Sequence, residues 1–284
     1  MTRPLPRRTW LGLIGVFVSQ TATLAGVEPF HSWNTPIAWT GYILAVDGIV
    51  WQRRGTSWLA NARAEFLFLA VSSVPLWIVF ELYNKYAIHN WHYVGLPEFL
   101  PLRYLGYAWS FATIWPAIFE TGELVSSVRD RRAPESRAIP PRRETLTPLA
   151  WVSVTIGLAM LIGPLLFPSQ YLAAPVFLGF VFLLDPINAR AGSESLLGDV
   201  RAGRYGRAIN LAIAGLVCGV LWELWNYWAG AKWIYTVPIL PSLRVFEMPI
   251  LGYGGFPAFA LECFTMYVAL RRWIWNGPSR PISV

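Results

Sequence analysis

Leu221-Trp222-Glu223-Leu224-Trp225-Asn226 places a carboxylate between two indoles inside a long apolar run, and the chain carries this pattern twice. The earlier copy is Val79-Phe80-Glu81-Leu82-Tyr83-Asn84, 142 positions upstream. An aromatic residue, Glu, Leu, a second aromatic and Asn recur in order, and Ala87 and Ala229 follow at matching places. Both copies lie in stretches long enough to cross a bilayer, where an ionisable side chain is costly and marks a function or a partner.

The rest of the chain has the composition such a setting requires. Of 284 residues, 55% are hydrophobic and only 14% charged, against about a quarter charged in a soluble protein. The apolar residues fall in blocks of roughly 17 to 24, the length that spans the hydrocarbon core. Eight such spans are expected, over 10–26, 36–51, 65–88, 104–128, 148–167, 171–187, 208–229 and 250–273. The expected fold is therefore all-α, a polytopic membrane helical bundle. Sixteen Trp, twelve Tyr and sixteen Phe suit interfacial aromatic belts. The first span follows Arg3, Arg7 and Arg8 and resembles a leader, but Trp151 stands 141 positions after Trp10. It is read as a retained membrane helix with a counterpart in the second half. Cys218 and Cys263 sit inside spans and read as buried apolar residues.

The net charge of +7 is explained by topology rather than by nucleic acid, which has no soluble basic domain here to bind it. With the amino terminus in the cytoplasm, 19 of the 23 basic residues fall on that side, leaving Lys85, Arg103, Lys232 and Arg244 outside. Both termini are expected to be cytoplasmic. An Arg/Pro-rich linker, 135–147, separates two halves, 1–134 and 148–284. Pro36, Gly41 and Asp47 correspond to Pro175, Gly179 and Asp185. Glu81, Asn84, Trp91, Tyr93, Arg103 and Glu120 correspond to Glu223, Asn226, Trp233, Tyr235, Arg244 and Glu262. Four spans per half is an even number, so the halves form tandem repeats of one orientation, related by an axis along the membrane normal.

Glu81 and Asn84, like Glu223 and Asn226, are three apart and share a helix face. In lipid that face must turn inward. Glu81, Glu120, Glu223 and Glu262 are the candidate acid/base groups. Asn84, Asn226, Trp91, Trp222, Trp225, Trp233, Arg103, Arg244 and Glu247 are the candidate substrate-binding residues. The plainer alternative is interhelical hydrogen bonding, each bond worth about 1 kcal/mol or less. Asp47 and Asp185, near span ends, read as helix caps. No metal site is expected, because His89 and His92 have no counterpart in the second half. No phosphate loop, nucleophile turn or His-Glu-x-x-His occurs. Any catalysis must act on something that partitions into the membrane.

Trp222-Glu223, Ala229-Gly230-Ala231-Lys232-Trp233 and Phe246-Glu247-Met248-Pro249, with Phe80-Glu81, Trp91 and Glu120 in the first half, distantly resemble the repeat of the small membrane lycopene cyclases. These are the heterodimeric bacterial and fused fungal type. That family's Pro-x-Glu-Glu-x-x-Phe-Phe signature is absent from both halves. The resemblance implies a bacterial inner-membrane protein of carotenoid or related lipid biosynthesis, cyclase-like and without a cofactor. A protonated Glu223 or Glu81 would add a proton to a polyene, Trp222, Trp225 and Phe80 would stabilise the cation, and Glu262 or Glu120 would remove a proton. A lipid- or pigment-binding membrane subunit and a proton-coupled transporter are the rival readings. Whether the chain forms a homo- or hetero-oligomer is left open.

Overall fold

A computed structural model describes residues 3–129, 147–282 and 284; all but the last residue of the expected linker lies outside them. The described chain is mostly helical, with only four short strands. Four helical stretches are long and apolar enough to cross a membrane: Arg63–Ile88, Pro148–Leu166, Gln170–Arg190 and Gly206–Trp228. The other four expected spans contain helix but do not form comparable apolar rods.

Both halves run through a helix hairpin, a short helix, a long helix, a strand and a last helix, and differ in what precedes that last helix. In the first, α1 (Arg7–Leu24) and α2 (Asn34–Arg54) form a hairpin. The short α3 (Trp58–Asn61), α4 (Arg63–Tyr83), strand β1 (Trp91–Val94), α5 (Leu100–Ala112) and α6 (Ile114–Arg129) follow. In the second, α7 (Pro148–Leu166) and α8 (Ala173–Arg190) form the hairpin. The short α9 (Leu196–Arg201), α10 (Gly206–Trp228), β2 (Lys232–Tyr235), a small turn of β3 (Arg244–Val245) and β4 (Met248–Pro249), and α11 (Gly255–Ile274) follow. The core interleaves the halves, because α6 packs on α2 and α10 while α11 packs on α8, α10 and α4.

The expected fourth span is not one helix, and the cause is local. Pro116 has no N–H to give Ala112, so the helix breaks at Thr113. Ser73 on α4 repairs the gap: its hydroxyl donates to the Phe111 carbonyl and accepts from the Trp115 N–H at 3.2 Å. Pro257 holds the corresponding place near the start of α11, which follows a short 3₁₀ turn, Ile250–Gly254. The helix of the expected eighth span thus starts only at Gly255.

Asp47 and Asp185 have matching structural duties. Asp47 accepts from the Leu59 N–H at 2.9 Å and pairs with Arg8 at 2.5 Å. Asp185 accepts from Leu196 and Leu197 at 2.8 and 2.7 Å, satisfying the free N–H groups of α9. Ser57 and Ser195 cap the same two short helices.

Small residues let the hairpins close. A Cβ at Gly12 would lie 2.3 Å from the Gly41 carbonyl oxygen, whereas one at Gly15 would meet nothing within 4 Å. Backbone cannot yield as a side-chain tip does, so Gly12→Val should cost at least ~2 kcal/mol and Gly15→Val little. Thermal unfolding of both variants in one detergent checks this. Equal melting temperatures would contradict the close packing of α1 on α2.

Candidate functional site

Each Glu-x-x-Asn pair closes the same loop. Asn84 Nδ2 donates to the Trp91 carbonyl at 2.8 Å, and its Oδ1 accepts from the N–H groups of Asn90 and Trp91 at 2.7 and 3.1 Å. Asn226 donates to the Trp233 carbonyl at 2.8 Å and accepts from the Trp233 N–H at 2.9 Å. Both carboxamides stand in for a missing strand and fix the segment that follows the helix. The two fixed strands then pair antiparallel, Trp91 opposite Tyr235 and Tyr93 opposite Trp233. The pairing is reciprocal: the counterparts of Trp91 and Tyr235 are Trp233 and Tyr93, which themselves form a pair.

Residues two apart on a strand face the same side, so Trp91 and Tyr93 point together, as do Trp233 and Tyr235. Tyr93 donates to Glu81 Oε1 at 2.5 Å, and the Trp77 and Trp91 indoles donate to that same oxygen at 2.9 and 3.3 Å. Tyr235 donates to Glu223 Oε1 at 2.9 Å, while the Trp233 indole donates to the Tyr235 hydroxyl at 2.9 Å. The halves differ for a steric reason. The counterpart of Trp77 is Gly219, where a Cβ would lie 2.1 Å from the Phe256 ring. Glu223 therefore lacks the donor that Trp77 gives Glu81, the Trp233 indole turns to Tyr235 instead, and Glu223 Oε2 is buried without a hydrogen-bond partner among the described residues. Burial, reinforced by the neighbouring glutamates, pushes both phenols well above the ordinary tyrosine range, so each remains a donor at neutral pH.

Beyond the tyrosines lies a cavity of about 460 Å³ whose lining includes Trp77, Trp91, Tyr93, Phe177, Trp222, Trp233, Tyr235 and Phe259. Its size and apolar character suit a lipophilic small molecule. Phe259 is a hub of the aromatic cluster, with ring centroids 5.5 Å from Trp77, 5.9 Å from Phe177 and 6.1 Å from Trp222. Faces of this kind attract positive charge.

Four of the nine expected binding residues line the cavity: Trp91, Trp222, Trp233 and Arg103. Trp225 packs instead on Trp39 at 4.7 Å. Asn84 and Asn226 hold the strands, Glu247 pairs with Lys232 at 2.9 Å, and Arg244 is exposed beside the Pro241 carbonyl. The four expected acid/base groups divide. Glu81 and Glu223 stand directly behind the tyrosines. Glu262 and Glu120 lie outside the lining. Glu262 accepts from the Phe180 N–H at 2.9 Å, and Glu120 is fully buried on α6 with neither oxygen hydrogen-bonded among the described residues. Tyr93, Tyr235 and Trp77 were not among the expected site residues. Their signal was present in the repeated Trp-x-Tyr and in the four-residue spacing of Trp77 and Glu81. No group of three His, Cys, Asp or Glu among the described residues could hold a metal ion.

No family model, curated protein or solved structure matches this chain.

Proposed function

We propose that this chain is an integral membrane protein that binds an isoprenoid- or carotenoid-like lipid and rearranges it by acid/base chemistry. The observation that carries this reading is the pair of Glu–Tyr units, each backed by indole N–H groups, behind one aromatic cavity. The proposed architecture is eight membrane segments in two tandem repeats of one orientation, with cytoplasmic termini. The matched carboxamide staples and the reciprocal strand pairing support it. The lycopene-cyclase likeness is proposed at the same level, as kinship of the repeat and of the reaction type.

In the proposed reaction a protonated Glu223 donates to the Tyr235 oxygen, reversing the bond between them. The hydroxyl so freed delivers its proton to a carbon–carbon double bond as it takes up the one from Glu223. The resulting tertiary cation lies against Trp222 and Phe259. A neighbouring double bond attacks it, and Tyr93 takes up the proton lost from the new ring as it hands its own to Glu81. One proton enters and one leaves, so the product is an isomer of the substrate and no electrons are transferred. Glu81 is the natural acceptor because three donors converge on one of its oxygens. Glu223 is the natural source because it has only one.

Incubation, in deuterium oxide, of membranes from a host that expresses the protein tests this directly. When unlabelled lipid is supplied, the product should carry solvent deuterium on a carbon of the new ring. Unchanged lipids would reject the reaction and leave a binding or transport role.

A further inference from the structure

Several polar side chains line the cavity that the proposed chemistry does not use, and Asn90 stands apart from them. Asn90 lines it, is only 3% exposed, and neither Oδ1 nor Nδ2 has a hydrogen-bond partner among the described residues. Its backbone is fully engaged: the N–H donates to Asn84 Oδ1 at 2.7 Å, and the carbonyl accepts from the Thr236 N–H at 2.8 Å. The residue is therefore held in place by its main chain, with its carboxamide left over. Leaving both ends of a buried amide unmade is costly, and buried polar groups nearly always find a partner.

We infer that Asn90 is a polar subsite that anchors the hydroxyl group of a lipid alcohol lying in the cavity, an inference that rests on the lipid-site reading above. A carboxamide left with both a donor and an acceptor free is matched by a group that accepts and donates at one position. A hydroxyl does both. A ketone or ester satisfies only Nδ2, and a hydrocarbon satisfies neither atom. The repeat supplies no second anchor of this kind. The residue corresponding to Asn90 is Lys232, whose ammonium is taken up by Glu247 at 2.9 Å and by the Tyr227 carbonyl at 3.3 Å. The paired strands thus offer an unpartnered carboxamide at one end alone, and a ligand with one hydroxyl enters in one sense only. That places a defined part of its chain between Tyr93 and Tyr235, which two equivalent walls alone could not do.

The test compares farnesol with the hydrocarbon of the same skeleton lacking the hydroxyl. Binding to the full-length protein in nanodiscs is read by quenching of the cavity tryptophans. The wild-type chain should bind the alcohol about ten-fold or more tightly. Asn90→Leu, which retains the backbone bonds, should abolish that preference while binding the hydrocarbon at least as well. Equal affinities of the wild-type chain for the two probes would mean that water already satisfies the amide. That overturns the subsite and leaves the lipid cavity standing. A preference that survives Asn90→Leu likewise overturns it. Failure of both probes to bind sinks the subsite together with the cavity's role. If Asn90→Leu does not fold, the wild-type comparison decides alone.

Discussion

Glu223→Gln should fold, retain lipid binding and lose turnover by a factor of roughly 10² to 10⁴, the usual contribution of a positioned acid or base. The amide preserves the shape of the carboxyl and can still accept from the Tyr235 hydroxyl, so the strand stays in register. What it cannot do is resupply the proton that the tyrosine gives up. Tyr235→Phe should cause a loss of similar size by removing the group that faces the cavity. Because the two act as one unit, the double variant should be little worse than either single variant. Additive losses would instead mean that the two side chains act independently. Glu262→Gln is the control: Glu262 lies outside the cavity lining and bonds a backbone N–H, so its replacement should change stability more than turnover. If Glu223→Gln turns over normally, the acid assignment fails.

The two halves of the site were unequally legible. The Glu-x-x-Asn pair announced itself because it recurs, and repetition 142 positions apart is independent of any knowledge of folding. The tyrosines were visible as counterparts, but a strand register was needed to bring them to the glutamates. Asn90 was hidden for the opposite reason. It breaks the repeat, and an Asn before a Trp-rich segment reads as an ordinary loop residue until its burial is known. Glu120 and Glu262 are repeated as faithfully as Glu81 and Glu223, yet they lie outside the cavity lining. Periodicity reports that a face is buried, not what it is buried against. The loop charges show a second limit. Arg8, Arg204, Arg207, Arg271 and Arg280 all pair with carboxylates, so part of the basic excess serves packing.

Arg280→Met should destabilise the bundle by about 3 kcal/mol, the order expected when a buried carboxylate loses its partner. The tail containing Arg280 folds back between the halves. Its guanidinium donates to Glu123 Oε2 at 2.9 Å, where Glu123 is fully buried, and lies 5.4 Å from the Trp58 ring centroid. The Arg280 N–H donates to Glu65 Oε2 at 2.7 Å, and its carbonyl accepts from Arg271 at 2.9 Å. Arg271 also bridges Glu65 of the first half and Glu194 of the second, at 3.1 and 2.5 Å. Further along, the Ile282 N–H reaches Glu194 at 3.2 Å, and Val284 fills the space above Gly122. Methionine retains most of the packing of the arginine stem and removes only the charge, so the loss isolates the electrostatics. The double variant Glu123→Gln, Arg280→Met should recover much of it, because no isolated carboxylate then remains. Thermal unfolding of the four proteins in one detergent closes the cycle. A single variant as stable as the parent would show that water or Arg54, 4.0 Å from Glu123, already neutralises this carboxylate, and that the tail does not tie the halves together.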